Sequence, residues 1–394
     1  MTHSPSSETL AWLERLIAFD TTSRNSNLAL IEDIRAYLSD RGIPATLTYD
    51  DTGKKANLDA TIGDSARPGV ALSGHTDVVP VDGQNWSSDP FRLVAREGRY
   101  YGRGTCDMKG FIAACLAQVP AFQAADLQVP VHLCFSYDEE VGCLGVRKLL
   151  ADFEQRAVKP AAVIVGEPTS MKVVNGHKGN KSMIAEITGR ACHSALAPHG
   201  VNALEYAARL IAFLSDMHRR KQREGPFDNH FEVPHTTVHC GTLQAGTAQN
   251  IVPSQAGFTF EFRCLPSEDP EDLFAEAEIF ARTELEPAMQ KIAPEAGIHF
   301  QTRAAFPGLD TDPGEALVTL AKTLAGQNAT AKVSFGTEGG LFSQSGIPAI
   351  ICGPGDIAQA HKADEFVSAD QLLWCERFLA GLTERLARDA VLRP

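Results

Sequence analysis

Apolar positions recur every three to four residues over 7–19 (Leu10, Leu13, Leu16, Ile17) and again over 28–41 (Leu28, Ile31, Ile34, Leu38). That spacing gathers them on one face of a helix. Ser7 is placed to cap the first helix and Gly42 to stop the second. Runs at Ala45–Tyr49, 57–62 and 69–75 predict strands, and 91–101 alternates like a hairpin. A helix over 111–122, a strand over 131–137, a helical stretch to about 153 and an apolar strand over 161–165 complete this part. Apolar strands alternating with helices predict an α/β sheet covered on both faces.

The pattern changes after about residue 178. Residues 181–188 alternate as a half-exposed strand, and 202–218 form an amphipathic helix through Leu204, Ala207, Ala208, Ile211 and Leu214. Strands over 236–243 and Gln255–Cys264 follow, then a second helix over 271–284. Two strand–helix–strand units of this size make a small α+β sandwich. Near 307–313 the first pattern returns, with a helix over 314–325, strands over 331–335 and 348–352, and a last helix over 369–386. The organisation expected is a discontinuous domain, 1–177 and 299–394, with a mixed central sheet flanked by helices. A smaller α+β domain is inserted at 178–298. The 394 residues are too many for one ordinary core, which agrees with two domains.

Composition narrows the function classes. Apolar residues are 44% and charged ones 22%, as in ordinary globular chains. A net charge of −13 repels nucleic acid and anionic membrane surfaces, so neither is an expected partner. No apolar stretch approaches the roughly 20 residues that span a bilayer, and no secretory signal is expected at the N-terminus. The nine cysteines are scattered without a CxxC pair, which predicts free thiols in a reducing cytoplasm. Cys106 has no neighbouring base to activate it and is expected to be structural.

The candidate chemistry stands just after predicted strands: His75, Asp77, Asp107, Glu139, Glu140, Glu167 and His361. Taken alone, His75 and Asp77 are also what a strand-end histidine bonded to an aspartate looks like, and 138–140 what a solvated acidic turn looks like. Together they have one explanation. Ligands of open α/β sheets bind outside the carboxyl ends of the strands, and several carboxylates converging there repel one another unless cations are present. Nitrogen and oxygen donors without thiolates suit Zn²⁺, with Co²⁺ or Mn²⁺ as substitutes. Two ions fit the donor count, with Asp107 bridging and the pair about 3.5–4 Å apart. Adjacent Glu139 and Glu140 point different ways on extended chain, so one can bind metal while the other is a free general base. Gly102-Arg103-Gly104 lacks the third glycine of a dinucleotide fingerprint, and there is no Gly-x-Ser-x-Gly nucleophile elbow.

Five motifs occur in order: Ser73-Gly74-His75-Thr76-Asp77-Val78-Val79-Pro80, Gly102-Arg103-Gly104-Thr105-Cys106-Asp107-Met108-Lys109-Gly110, Asp138-Glu139-Glu140-Val141-Gly142, Gly166-Glu167-Pro168-Thr169 and Ala360-His361-Lys362-Ala363-Asp364-Glu365. This series resembles the co-catalytic zinc aminoacylase and metallopeptidase family over essentially the whole chain. The resemblance implies His75, Asp107 and Glu167 on one zinc, and Asp107, Glu140 and His361 on the other. It implies Glu139 as general base, Asp77 orienting His75, and a cis Asp107–Met108 bond. The inserted domain resembles that family's lid and dimerisation domain. His193, in Gly189-Arg190-Ala191-Cys192-His193-Ser194, matches a residue that helps stabilise the oxyanion of a neighbouring active site, although Cys192 stands where the pattern usually has glycine. Asn250 and Arg263 match positions that tend to contact substrate. Within the family, residues 334–342 and 351–361 resemble the acetylornithine deacetylase branch. That implies removal of the acetyl group from N2-acetyl-L-ornithine in arginine biosynthesis, by a cytoplasmic homodimer. Glu338 would pair with the ornithine ammonium, or be an ordinary loop carboxylate. The alternatives are deacylation of another N-acyl amino acid, as by an aminoacylase or succinyl-diaminopimelate desuccinylase, or carboxypeptidase action on a small peptide. A binding protein that has lost its metals is disfavoured, because no expected ligand or base is replaced.

Overall fold

The computed structural model describes residues 4–388. They divide into two compact units, one of residues up to 176 with 309–332 and 337 onward, the other of 177–308 with 333–336.

The large sheet has nine strands. Its centre is a parallel set in the order Val131–Ser136, Val70–His75, Ala162–Pro168, Ala349–Gly353. Every residue of these four strands is buried, so both faces have to be covered, as parallel sheets require. Antiparallel strands Ala56–Ile62 and Ala45–Tyr49 extend one side, and Val174–His177 runs antiparallel to Ala349–Gly353 on the other. The helix Lys109–Ala124 is buried all round over residues 109–116 and packs against the helices Ser7–Ile17 and Ala369–Arg388. It approaches the sheet closely at Gly166, where a Cβ would come within 2.0 Å of the Phe111 ring. The small hairpin is formed by Val94–Arg96 and Arg99–Tyr101, and Phe366–Ser368 adds a third strand. The first helix is capped by Ser6, whose hydroxyl accepts from the Thr9 N–H, rather than by Ser7. The second ends at Ser39, and Gly42 takes the left-handed conformation beyond it.

The second unit is a four-stranded antiparallel sheet in the order Thr237–Ala245, Gln255–Cys264, Gly179–Thr188, Gly297–Phe306. Ala256, Phe258, Phe260, Phe262 and Cys264 point to one face and pack against Leu210 and Leu214 of the helix Ala203–Glu224. Asn202 caps that helix by accepting from the Leu204 and Glu205 N–H groups. Gly297–Phe306 was not legible as a strand, and the boundary expected at 298/299 falls inside it. Of its residues only Ile298 is buried, so the edge strand carries little apolar alternation. No helix among the described residues is long and apolar enough to cross a membrane.

Candidate active site

The carboxyl ends of the parallel strands bring the predicted residues together. His75 ends Val70–His75, Glu167 lies at the end of Ala162–Pro168, and Glu139 and Glu140 follow Val131–Ser136. His361 follows Ala349–Gly353 after one short turn, in a left-handed conformation. Asp107 comes from the loop before the helix Lys109–Ala124, and the Asp107–Met108 bond is cis.

His75 Nε2 is 3.0 Å from Asp107 Oδ1 and 3.5 Å from Glu167 Oε1. His361 Nε2 is 3.2 Å from Asp107 Oδ2 and 3.1 Å from Glu140 Oε2. One Asp107 oxygen thus faces each imidazole, as a bridging carboxylate would. Donor atoms of His75, Glu139 and Glu167 lie within 4.8 Å of one another, and so do those of His75, Asp107 and Glu140. The His361 side chain is 51% exposed while Asp107 and Glu140 are 6% and 8%, so solvent reaches the cluster from the His361 side.

Asp77 does more than orient an imidazole. His75 Nδ1 lies 2.9 Å from the Asp77 main-chain oxygen and 3.5 Å from its carboxylate. The carboxylate instead accepts the N–H of Glu139 at 3.0 Å, that of Glu140 at 3.3 Å and the Ser23 hydroxyl at 2.7 Å. Two cluster segments are therefore fixed by one residue.

Glu338 corrects an expectation. It is 1% exposed, and its carboxylate accepts hydroxyl hydrogen bonds from Ser136 and from Ser73, the latter at 3.3 Å. Burial pushes its pKa up to about 7. A carboxylate enclosed in this way is not presented to a substrate ammonium. His193, Asn250 and Arg263 belong to the second unit. His193 is exposed, with Nδ1 accepting from the Ala195 N–H at 3.1 Å, and the Asn250 carbonyl accepts from the Ser194 N–H at 3.0 Å. Arg263 pairs with Glu261 at 3.2 Å. Cys106 is buried and donates its thiol to the Asp356 carbonyl, and all nine cysteines are unpaired.

Three participants escaped the sequence. Cys143 Sγ lies 3.3 Å from Glu139 Oε1, Ser23 holds Asp77, and Glu365 receives the backbone of the Asp107 loop. Glu365 stood within the quoted His361 motif and was the one with a signal.

Electrostatics supports a cation site. Burial drives Glu139 and Glu167 well above the usual carboxylate range, with mutual repulsion adding to it, and Glu140 is raised by burial and Asp107. For Asp107 burial is outweighed by the hydrogen bonds from His361 and His75, and its pKa falls. His361 is lifted to about 10 by Asp107 and Glu140, and His75 rises well above its usual value despite burial. Without cations, burial and mutual repulsion oppose the charges of the three glutamates, while the carboxylates favour the protonated form of the two imidazoles. The donor set of carboxylates and imidazoles, with no thiolate, fits divalent metal.

Residues 71–385 match the sequence profile of Peptidase family M20/M25/M40. The chain belongs to that family. Among its curated relatives is the acetylornithine deacetylase of Myxococcus xanthus, 36% identical over 377 residues, 94% of this chain and 95% of the relative. The acetylornithine deacetylase of Pasteurella multocida is 32% identical over 88% of this chain and 87% of its own length. Among solved M20 structures, the Sulfolobus solfataricus metallo-carboxypeptidase Sso-CP2 superposes with a TM-score of 0.75 at 19% identity, covering 97% of this chain and all of that one. A dinuclear metal binding M20 peptidase of Bacillus subtilis superposes with a TM-score of 0.64 at 18% identity, over 95% and 96% of the two chains. These two likenesses establish the fold. The M20 fold, with its central mixed sheet, is the frame on which the strand-end cluster is built.

Proposed function

We propose that this M20 chain is a di-zinc amide hydrolase that removes the acetyl group of N2-acetyl-L-ornithine, releasing L-ornithine and acetate as a step of arginine biosynthesis. The near full-length similarity to chains named acetylornithine deacetylase carries this reading, and the strand-end cluster supplies chemistry that fits it. His75, Asp107 and Glu167 would hold one ion, and Asp107, Glu140 and His361 the other. Bound there, such ions polarise an acyl oxygen and acidify water. Co²⁺ would serve as a substitute.

Glu139 acts as the general base: it takes a proton from the attacking water and passes it to the departing amide nitrogen, so one water is consumed and carboxylate and amine are formed. Burial supports the role, because a carboxylate pushed upward is a stronger base. The Cys143 thiol on Oε1 leaves Oε2 for proton transfer. Asp77 keeps Glu139 and Glu140 in place through their N–H groups. Asn250 and Arg263 contact substrate. His193, exposed on the second unit, stabilises the oxyanion of a partner subunit in a homodimer, and His193→Ala lowers turnover far more than stability. Undiminished turnover in that variant would remove His193 from the mechanism.

A second reading has an observation in its favour. Enclosed Glu338 leaves no carboxylate assigned to the ornithine ammonium, which favours a wider N-acyl amino acid deacylase. The deciding experiment compares kcat/KM of the zinc-loaded protein for N-acetylornithine, N-succinyl-diaminopimelate and a neutral N-acetyl amino acid. An advantage of at least about tenfold, some 1.4 kcal/mol, for N-acetylornithine supports the first reading. Comparable rates support the second.

A further inference from the structure

We propose that Arg103 and Glu365 are positioning residues that hold Asp107 and His361 in register with each other. The metal site of Asp107, Glu140 and His361 then has two ligands held by this pair, and the site of His75, Asp107 and Glu167 has one. The inference rests on the two-metal reading above.

Glu365 is a carboxylate buried to 1% exposure that receives four donors. Its Oε2 takes Arg103 Nη1 at 2.7 Å, and its Oε1 takes the N–H groups of Cys106 and Asp107 at 2.9 and 3.0 Å. The Gly104 N–H lies 3.1 Å from both oxygens. Charge-assisted bonds of this kind are short and strong, and here they grip the loop that ends in Asp107. The Glu365 carbonyl also accepts the Gly102 N–H at 3.0 Å, so the loop is held at both ends.

Arg103 carries the connection to His361. Its Nη2 donates to Gln84 Oε1 at 2.6 Å, and Gln84 Nε2 in turn donates to the His361 carbonyl at 3.1 Å. Its Nη1 also lies 3.3 Å from the Lys362 carbonyl. The guanidinium stands 5.0 Å from the Trp86 ring centre, and Ser87 donates its N–H and hydroxyl to Asp364 at 2.9 Å each. A closed path of bonds runs from the Asp107 N–H through Glu365, Arg103 and Gln84 to the carbonyl of His361.

The two halves of the cluster are supported differently. His75 lies in a strand and pairs in register with Ser136, and Glu167 lies in the strand Ala162–Pro168, between the register pairs of Val165 and Pro168. Asp107 and His361 lie in neither strand nor helix, so side-chain bonds have to place them. Stability alone is a weak reason for a buried ion pair, since apolar residues of similar volume often serve as well. Arg103 even keeps a buried Nε with no hydrogen-bond partner. Fixing two separated ligands at one distance is a task that apolar packing does not perform.

The test strips the full-length protein with a chelator and titrates it with Co²⁺, following visible absorbance and bound metal. Glu365→Gln keeps the size of the side chain and removes its charge. The expected result is that both equivalents weaken, because Asp107 serves both sites, and that the second, which also loses the hold on His361, weakens more, about 10–100-fold, the usual effect of losing a partner behind a metal ligand. Two equivalents bound as in wild type overturn the inference. Equal weakening of both, in a variant with wild-type circular dichroism, overturns it as well, since that marks a general structural role. If the variant does not fold, Gln84→Ala decides: losing one hydrogen bond weakens the second equivalent about 2–10-fold, and an unchanged second affinity rejects the pair's role. Wild-type protein that takes up only one equivalent overturns the two-metal reading and this inference together, whereas two equal equivalents in wild type and variant overturn the inference alone.

Discussion

At the residue scale the adjacent glutamates divide most sharply. Glu139→Ala is expected to keep both metals and to lose hydrolysis by about 10²–10⁴-fold, the range of a missing general base. Metal analysis beside kcat checks this, and loss of an ion from the variant would exchange the roles of Glu139 and Glu140. His177 makes a pH prediction away from the cluster. Burial pushes its imidazole down to about 4 from the ordinary 6.5, and it stays neutral in the fold with Nδ1 2.9 Å from the Lys178 carbonyl. As pH falls from 6.5 toward 4 the unfolded chain takes up a proton that the fold refuses, so stability declines over that window. The loss is at most about 3 kcal/mol. Denaturant unfolding at pH 7.5 and 4.5 should show His177→Asn losing less than wild type, and equal losses would contradict the argument. Residue identities at strand ends were legible because a histidine or carboxylate after an apolar run is conspicuous. Enclosure of Glu338 was not, since its loop sequence, Ser334-Phe335-Gly336-Thr337-Glu338, looks the same whether it faces solvent or two serine hydroxyls.

At the element scale the fully buried parallel strands were readable from uninterrupted apolar runs, and their helices from 3.6-residue spacing. The edge strand Gly297–Phe306 was not, because what defines it is a ladder with Gly179–Thr188 rather than its own pattern. The helix Ala203–Glu224 also outruns its expected end, since Arg219, Arg220 and Lys221 continue it on polar residues. The helix and the sheet approach closely at Gly166 and Phe111. Gly166→Ala would force the ring or the strand aside, at a cost of about 1–3 kcal/mol for overpacking, and would shift Glu167 one residue away. A thermal melt and zinc affinity should both fall. A melt unchanged from wild type would show that Phe111 swings clear at no cost.

At the scale of the whole molecule there are two separate apolar cores, one in each unit, and the strand-end cluster belongs to the first unit. Chelation should abolish hydrolysis, which zinc or cobalt restores. It should also lower the melting transition of the first unit alone, because ligand binding stabilises only the fold that holds the ligand. A single transition that moves as a whole would mean that the units melt together. The two units correspond to the change of pattern near residue 178 and its return near 307–313, whereas the boundary drawn at 298/299 cut into the unpatterned edge strand.

The same chain order has a consequence for how the protein is made. Arg103 and Glu365 are 262 residues apart, and the whole second unit is synthesised between Glu167 and His361. A nascent chain therefore carries its acid cluster and His75 through about half of translation without His361 and the clasp, which arrive last. On the two-metal reading, capture at the second site is a late event, and a chain terminated before His361 lacks one of that site's ligands.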